Sequence, residues 1–253
     1  MLIETKILAM TDIFDRQKRI SGWSQAEIQK QRVLVVGAGA LGNEVVKLLV
    51  QLGVSEITIV DYDEIAEVNL NRCVFFTLED VGKKKATVLK EKAKALNNSS
   101  KISIKLKRIE ELPEEFFGGF SVCFSCLDNL AARIHLNAQC YGKTLLIDGG
   151  TNAFNGKVQV VDAGACLECS LTKSDYKILW KKYSCVGEVL EFLDPKMPAL
   201  ATTTSIIAGL QVNEFIKFVH GLNYLKNAYL LYNGLKNEFT VFKVEKRKTC
   251  PLH

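Results

Sequence analysis

Two short pairs of cysteine and histidine residues lie about 80 residues apart in the chain. The first is Cys166-Leu-Glu-Cys169, and the second is Cys250-Pro-Leu-His253. Thiolate and imidazole are ligands that zinc prefers, and four of them form the closed tetrahedral set of a structural site. The pattern therefore predicts a structural zinc that joins two distant parts of the chain. A redox pair at Cys166 and Cys169, or two unrelated pairs, are the alternatives.

A glycine-rich motif, Gly37-x-Gly39-x-x-Gly42, lies between a buried-strand pattern, RVLVV, and a segment with apolar residues at helical spacing. In that position backbone amides and the positive end of a helix approach a phosphate group. Asp61 ends the next strand pattern, 19 residues beyond Gly42, where it can accept a hydrogen bond from a ribose hydroxyl. The motif predicts a nucleotide site, and taken alone it most often indicates a dinucleotide cofactor such as NAD.

The residues that follow favour a nucleoside triphosphate over a dinucleotide. They are Asp63, Asn69, Arg72, Lys85 and, at the end of a later strand pattern, Asp128. Transfer at a phosphate requires cations that neutralise developing charge and a carboxylate that holds Mg²⁺. A hydride-transfer cofactor needs no such set. The alternative is a solvated loop and a basic helix face without a role in chemistry. Of the three lysines at 83–85, we expect at most one to take part in the reaction.

The chain has eight cysteines and no secretory pattern at its start, so they are interpreted as thiols. Four lie in apolar stretches and are expected to be buried: Cys73, Cys123, Cys126 and Cys140. Cys185 differs, because it follows two lysines in an irregular segment, WKKYSCVGE. Nearby cations favour the thiolate, which makes Cys185 a candidate nucleophile. An ordinary buried cysteine is the alternative.

Strand and helix patterns alternate through the first 150 residues, which predicts a doubly wound parallel sheet. One of the helices is predicted over residues 78–98. Further strand patterns flank a long apolar helix in the remainder of the chain. The fold class is therefore α/β, Rossmann-like, with a carboxy-terminal mixed-strand extension and the zinc knuckle. We expect a single domain over residues 1–253, with a nucleotide-binding half at 1–150 and a zinc-stapled half at 151–253.

Composition excludes several classes of protein. The chain has 253 residues, of which 48% are hydrophobic and 24% charged, as in an average globular domain. A net charge of +5 from interspersed residues does not indicate nucleic-acid binding. No apolar run is long enough to span a membrane, and no cleavable leader is recognised. A cytoplasmic protein without membrane contact is expected.

Taken together, the motifs resemble those of the ThiF/MoeB and ubiquitin-activating superfamily of adenylating enzymes. The resemblance depends on the order of DRQ, GAGALG, DYDEIAEVNLNR, VGKKK, SCLDN, ACLECS, a long apolar helix and the terminal KTCPLH. The motifs are closest to those of the catalytic subunits that activate ubiquitin-like proteins. This resemblance implies adenylation of a carboxy-terminal glycine with ATP and Mg²⁺. The implied partner is a ubiquitin-like or sulfur-carrier protein that ends in Gly-Gly, and a conjugating enzyme is a further implied partner.

Roles follow from the resemblance at matching positions. Arg16 matches an arginine that reaches the ATP phosphates of the partner subunit, which implies a homodimer. Asp61 matches the ribose-binding acid, and Asp128 matches the aspartate linked to Mg²⁺. The matches to phosphate-binding residues are Asn69, Arg72 and Lys85. Cys166 and Cys169 match the first zinc knuckle, whereas the second pair is C-x-x-H here and C-x-x-C in the family.

Cys185 matches the catalytic cysteine of the crossover loop, at about 171–197, where relatives form a thioester or a persulfide. The large catalytic-cysteine domain is not expected, because only VGEVLEFLDPK separates Cys185 from the apolar helix. Adenylation of a sulfur carrier without a thioester is therefore the main alternative. An NAD-dependent oxidoreductase and a non-catalytic subunit of a heterodimer are the other two.

Overall fold

A computed structural model describes residues 12–171 and 198–253. Eight strands form one sheet in the order β3-β2-β1-β4-β5-β6-β7-β8. The strands are β1 Arg32–Val36, β2 Glu56–Val60, β3 Lys101–Lys105, β4 Val122–Ser125, β5 Leu145–Asn152, β6 Asn155–Val161, β7 Ala228–Asn233 and β8 Glu238–Lys243. Strands β1 to β5 are parallel, and β6 to β8 continue the same sheet in antiparallel pairs. The predicted parallel half and mixed-strand extension are both confirmed.

Seven helices accompany the sheet in the described residues. They are α1 Asp15–Lys18, α2 Gln25–Gln29, α3 Ala40–Leu52, α4 Lys85–Leu96, α5 Glu114–Phe117, α6 Leu130–Cys140 and α7 Ala201–Val219. One apolar core lies between one face of the sheet and α3, α4 and α7. A second core lies on the opposite face, against α5 and α6. Successive residues of β1 alternate between the two cores, as a strand that is buried on both faces requires.

The parallel register aligns the carboxyl ends of three neighbouring strands. Val36, the last residue of β1, lies beside Val60 of β2 on one side and Ser125 of β4 on the other. After β1, the next two strands, β2 and β3, lie on one side of β1, whereas β4 and β5 lie on its other side. Strand order therefore reverses between β1 and β4, and ligands of open α/β sheets bind at the carboxyl ends of the strands at such a point.

The helix expected over residues 78–98 is shorter in the structure. Residues Leu78–Asp80 form one 3₁₀ turn, and α4 begins only at Lys85. Gly82 has a φ of +84°, a left-handed conformation that ends helical geometry. The Asp80 carboxylate accepts hydrogen bonds from the backbone N–H and the hydroxyl of Thr77, at 2.9 and 2.8 Å. Helix periodicity in the sequence therefore overestimated this element, because local side-chain bonds compete with helix formation.

The cysteines described by the structure are all free thiols. The four in apolar stretches are buried, as predicted: Cys73, Cys123, Cys126 and Cys140. Within residues 12–171 and 198–253, no helix combines the length and apolar character needed to cross a membrane.

Candidate functional site

The glycine loop joins β1 to the first turn of α3. Gly37 has a φ of +99°, and a Cβ there would lie 2.6 Å from the Cys126 carbonyl oxygen. A Cβ on Gly42 would lie 1.9 Å from the Gly37 carbonyl oxygen. Both glycines are therefore required by close backbone packing. Gly39, the residue before α3, is different: a Cβ there would meet nothing within 4 Å. The space beside Gly39 is open at the positive end of a 13-residue helix, where an anion is favoured.

Asp61 follows β2 and supports the loop from the neighbouring strand. Its carboxylate accepts hydrogen bonds from the backbone N–H groups of Ala38, at 2.6 Å, and Asp63, at 2.8 Å. Burial raises the pKa of Asp61 above its usual value, although these two bonds and the charge of Lys85 oppose that shift. The carboxylate therefore lies against the glycine loop, at the carboxyl ends of β1 and β2.

Lys85 begins α4 and is the most enclosed lysine of this cluster. Its side chain is 13% exposed, and its Nζ lies 2.8 Å from the Asp63 carboxylate. Burial alone would lower the pKa of Lys85, but the bond to Asp63 and the charge of Asp61 raise it above its usual value. The Lys85 backbone N–H also donates to the Asp63 carbonyl at 3.0 Å. Asp61, Asp63 and Lys85, which the sequence singled out separately, thus form one polar cluster.

Asn69 and Arg72 lie in the turn that connects this cluster to the loop before α4. The Asn69 side chain accepts from the backbone N–H of Ala66 at 3.0 Å. The Arg72 guanidinium donates to the Val68 carbonyl and, at 2.8 Å, to the Asn71 side chain. Burial raises the pKa of Cys73 to about 11, and the charges of Arg72, Lys85 and Asp61 act on that thiol as well. Arg72 and Lys85 lower the pKa, and Asp61 raises it. These three charged side chains therefore lie near the buried Cys73 thiol.

Asp128 is exposed and lies in the loop between β4 and α6. The next residue, Asn129, caps α6 by accepting from the Ala132 backbone N–H at 2.8 Å. Because β4 is the neighbour of β1, Asp128 and the glycine loop belong to the same edge of the sheet. The carboxyl ends of β2, β1 and β4 thus carry, in order, the acid cluster with Lys85, the glycine loop and Asp128.

Arg16 is the predicted site residue that the fold leaves apart from this cluster. It lies on α1, and its side chain is 88% exposed. Its Nε is 3.9 Å from the Asp15 carboxylate, a long distance for an ion pair. The neighbouring Gln17 donates to the carbonyl of Leu52, the last residue of α3, at 3.0 Å. The glycine loop is at the opposite end of α3, roughly 20 Å away at the rise of an α-helix. Within one chain, Arg16 therefore does not join the cluster.

The four predicted metal ligands lie together on the α6 side of the sheet. Their ligand atoms are all within 4.8 Å of one another. Cys166 Sγ is 3.8 Å from Cys169 Sγ and 3.5 Å from Cys250 Sγ, and Cys169 Sγ is 3.4 Å from His253 Nε2. With Zn–S bonds of about 2.3 Å and Zn–N bonds of about 2.0 Å, a tetrahedral site has ligand separations of roughly 3.5 to 3.8 Å. The geometry therefore fits a tetrahedral metal ion.

The surroundings of the cluster affect its thiols differently. Burial raises the pKa of Cys166 to about 12, and the Asn137 side chain is one of the groups that oppose this shift. Burial also acts on Cys169, but backbone N–H donors, that of Arg247 first, lower its pKa below the usual value. His253 stacks on Tyr141 with ring centroids 5.1 Å apart. All of these contacts join the knuckle, the carboxy-terminal segment and α6.

Two supports of the site were not predicted from the sequence. Asn43, fully buried, donates to the carbonyls of Ala38 and Gly39 at 2.9 and 3.0 Å and accepts from the Phe75 backbone N–H at 3.2 Å. It therefore ties the glycine loop to the segment after Arg72. A polar residue directly after the last glycine of the motif, within an otherwise apolar helix pattern, was the available signal.

Arg133 and Asp148 form the second support, a buried ion pair in the middle of β5, where Asp148 lies beside Ser125, the last residue of β4. Asp148 is fully buried, and Arg133 donates to both of its oxygens, through Nε at 2.9 Å and through Nη2. A Cβ on Gly150 would lie 3.1 Å from Arg133 Nη1. The only signal in the sequence was an arginine in the apolar pattern of α6, which does not identify its partner.

Cys185, the candidate nucleophile, lies outside the described residues.

Comparisons with known proteins identify relatives of this chain. The NEDD8-activating enzyme E1 catalytic subunit of Dictyostelium discoideum is 26% identical, over 87% of this chain and 67% of that protein. SUMO-activating enzyme subunit 2 of the same organism is 36% identical, but the alignment covers 56% of this chain and 22% of the relative. The chain thus spans less than a quarter of that second protein.

Among solved structures, the crystal structure of E. coli MccB with ATP has a TM-score of 0.76 at 20% identity, over 96% of this chain and 75% of that one. MccB with MccA-N7isoASN gives a TM-score of 0.78 at 20% identity, over 95% and 74%. These likenesses support the Rossmann-like fold. The ThiF family model matches residues 11–252, nearly the whole sequence, and the chain therefore belongs to the ThiF family.

Proposed function

We propose that this chain uses ATP to adenylate the carboxy-terminal glycine of a ubiquitin-like protein and then forms a thioester with it on Cys185. The observation that carries the proposal is the arrangement at the carboxyl ends of β2, β1 and β4. There the Asp61, Asp63 and Lys85 cluster, an open glycine loop and the exposed Asp128 follow one another on three adjacent strands. Family relatives that activate NEDD8 and SUMO support the choice of substrate.

In the first step a carboxylate oxygen of the terminal glycine attacks the α-phosphorus of ATP. The new O–P bond replaces the bond to the β-phosphate oxygen, and pyrophosphate leaves. The open space at Gly39 receives phosphate, Asp61 accepts from the ribose, and Asn69, Arg72 and Lys85 hold the phosphates. Asp128 would hold Mg²⁺, which neutralises charge on the phosphates when it is bound. Positioning and charge stabilisation, without a protein nucleophile, supply the catalysis.

In the second step the Cys185 thiolate attacks the acyl carbon of the adenylate. A C–S bond forms, the acyl C–O bond breaks, and AMP leaves with its phosphate negatively charged. The thiolate arises by loss of the thiol proton to water, which is favoured by Lys181 and Lys182 in the sequence.

The test mixes the protein with Mg-ATP and a ubiquitin-like protein that ends in Gly-Gly. Pyrophosphate exchange measures the first step, and intact mass without reductant measures the second. We expect exchange together with a thiol-sensitive adduct that is lost in Cys185→Ala. The matched control is Cys140→Ala, which removes a buried thiol at the end of α6 and should keep both signals. Absence of exchange with every such partner would overturn the proposal.

Adenylation without a thioester is the second candidate, as activation of a sulfur-carrier protein. The observation that favours it is the connection between Leu171 and Pro198, which is only 26 residues long and leaves no room for a catalytic-cysteine domain. This alternative predicts exchange of the same size in the wild type and in Cys185→Ala, with no adduct in either.

Zinc at Cys166, Cys169, Cys250 and His253, and a homodimer in which Arg16 serves the partner's site, complete the proposal. Three of the ligand separations, 3.8, 3.5 and 3.4 Å, support zinc, because they are close to those of a tetrahedral site. The remoteness of Arg16 from the cluster of its own chain supports a role in the partner's site.

A further inference from the structure

The side chain of Asn137, on the third turn of α6, lies against the first knuckle of the metal cluster. It is fully buried, and its Oδ1 accepts a hydrogen bond from the backbone N–H of Leu167 at 3.1 Å. Leu167 lies between the two cysteines of the knuckle. One half of the Asn137 amide therefore holds the backbone that places Cys166 and Cys169.

The other half of the amide has no partner in the described residues. Asn137 Nδ2 is buried and makes no hydrogen bond there. Buried amide donors are almost always satisfied, so the Asn137 Nδ2 group is available to an acceptor at this position. Because Nδ2 belongs to the same amide group as Oδ1, it lies beside the backbone of Cys166 and Leu167.

A bound metal would increase the need for N–H donors to the cysteine sulfurs. Three thiolates, a neutral imidazole and a divalent zinc carry a net charge of −1, which N–H donors to sulfur stabilise. Cys169 Sγ already receives the backbone N–H of Arg247 at 3.5 Å. Cys166 Sγ lies 3.8 Å from the sulfur of Cys169 and 3.5 Å from the sulfur of Cys250. These thiols become thiolates with a metal and then donate nothing to Cys166.

We infer that Asn137 is the positioning residue of the metal site, with Nδ2 donating to the metal-bound Cys166 thiolate while Oδ1 holds the knuckle through Leu167. Such outer contacts orient ligands and tune a metal site. The inference rests on metal binding by the four ligands and is independent of the adenylation reaction. It also gives α6 a contact with the metal site two turns beyond Asn129, the residue next to Asp128.

Asn137→Asp tests the donor directly, because Asp keeps an acceptor for Leu167, loses the N–H group and adds a negative charge. Zinc affinity is measured by competition with a chromophoric chelator, and cobalt substitution reports on the sulfur ligands through the thiolate-to-cobalt charge-transfer band. We expect affinity to fall about 10- to 100-fold and the band to shift. Asn137→Ala should lose affinity to a similar extent. The matched control is Gln139→Glu, an amide-to-acid change on the same helix, which should retain both properties.

Wild-type affinity and an unchanged cobalt band in Asn137→Asp would overturn the inference and leave Asn137 as a support of Leu167 only. Failure of the wild type to bind either zinc or cobalt would overturn it as well, while pyrophosphate exchange would still report on the proposed function. A variant that is folded by circular dichroism but shows weaker zinc binding and a shifted band supports the inference. If Asn137→Asp folds only in excess zinc, chelator competition on the zinc-loaded variant should still show the loss of zinc affinity.

Discussion

Among the residues of the site, Lys85 has the surroundings that best suit a phosphate ligand. Its ammonium is mostly enclosed, yet its only ion-pair partner in the described residues is Asp63, whose side chain is 47% exposed. The carboxylates around it raise its pKa, so it remains charged across the neutral range. In the proposed site, a triphosphate that enters beside Gly39 would replace Asp63 as the ion-pair partner of Lys85, and the Lys85 ammonium would keep its proton.

The prediction at this position is a loss of catalysis in a folded protein. Lys85→Ala should lower the rate of pyrophosphate exchange about 10²- to 10³-fold, the usual effect of removing one group that stabilises transition-state charge. Steady-state exchange assays and circular dichroism measure the two properties together.

Lys84 provides the control, because it is the preceding residue but pairs with Glu64 at 3.1 Å on the exposed surface. Exposed pairs of this kind contribute little to stability. Lys84→Ala should keep exchange within about twofold of the wild type. Equal losses in both variants would remove Lys85 from the proposed site.

At the scale of elements, two glycines of the loop have different expected roles: Gly37 is needed for folding, and Gly39 is needed for ligand binding. Gly37→Ala should destabilise the protein, because its φ is positive and the new Cβ would approach the Cys126 carbonyl. Gly39→Ala should fold normally, because its φ of −74° suits any residue and its surroundings are open. In that variant we expect ATP binding to weaken at least about tenfold, since a methyl group would occupy the space proposed for phosphate.

Thermal unfolding and ATP titration of the same two variants measure these effects. A Gly39→Ala protein that binds ATP like the wild type would place the phosphates elsewhere. A Gly37→Ala protein with unchanged stability would contradict the role given to the close backbone contact.

The turn before α4 depends on a buried carboxylate. Burial alone would raise the pKa of Asp80, but hydrogen bonds from Lys92, Thr77 and Lys83 hold it well below its usual value. A depressed pKa in the folded state means that the contribution to stability is complete above the unfolded-state pKa of about 4 and is lost as pH falls below it. Asp80 thereby helps to set where α4 begins and where Lys85 projects.

Asp80→Asn should lower the free energy of unfolding by about 2 kcal/mol at pH 7, the scale of a hydrogen bond to a charged group. The difference from the wild type should shrink as pH falls from 4 toward 2. Urea unfolding at a series of pH values measures it. A difference that stays constant over this range would show that ionisation of Asp80 contributes nothing.

At the scale of the whole molecule, the position of Arg16 leads to a prediction about subunits. Arg16→Ala and Lys85→Ala should each be inactive alone. When the two are mixed under conditions of subunit exchange, the mixed dimer regains one site with both native residues. A 1:1 mixture should then recover about a quarter of wild-type exchange activity, as random pairing in a twofold dimer requires.

Arg19→Ala is the control, because Arg19 is also exposed on this segment but pairs with Asp15 at 3.0 Å. It should be active alone. Mixtures of Arg16→Ala and Lys85→Ala that stay inactive, despite subunit exchange shown by mass, would exclude a role for Arg16 across the interface.

The sequence by itself determined the elements whose signals are local. Continuous apolar runs indicated strands β1 and β4, because strands buried on both faces carry no polar alternation. The glycine spacing identified the loop, since close backbone contacts tolerate no Cβ at Gly37 and Gly42. The two C-x-x pairs identified four side chains that lie together and could hold a metal ion, because few residue types bind soft metals and the spacing suits a knuckle. The roles of these residues in ATP and substrate binding stay predictions.

Only the tertiary structure decided which distant side chains meet. Arg133 and Asp148 are unremarkable in sequence and become a buried pair because α6 packs over β5. Asn137 reaches Leu167 across 30 residues because α6 also packs against the turn that holds Cys166 and Cys169. The start of α4 was misjudged because Gly82 and the Asp80 carboxylate outweigh helix periodicity. Local backbone preferences can be recognised from neighbouring residues, whereas side-chain partners depend on how whole elements pack.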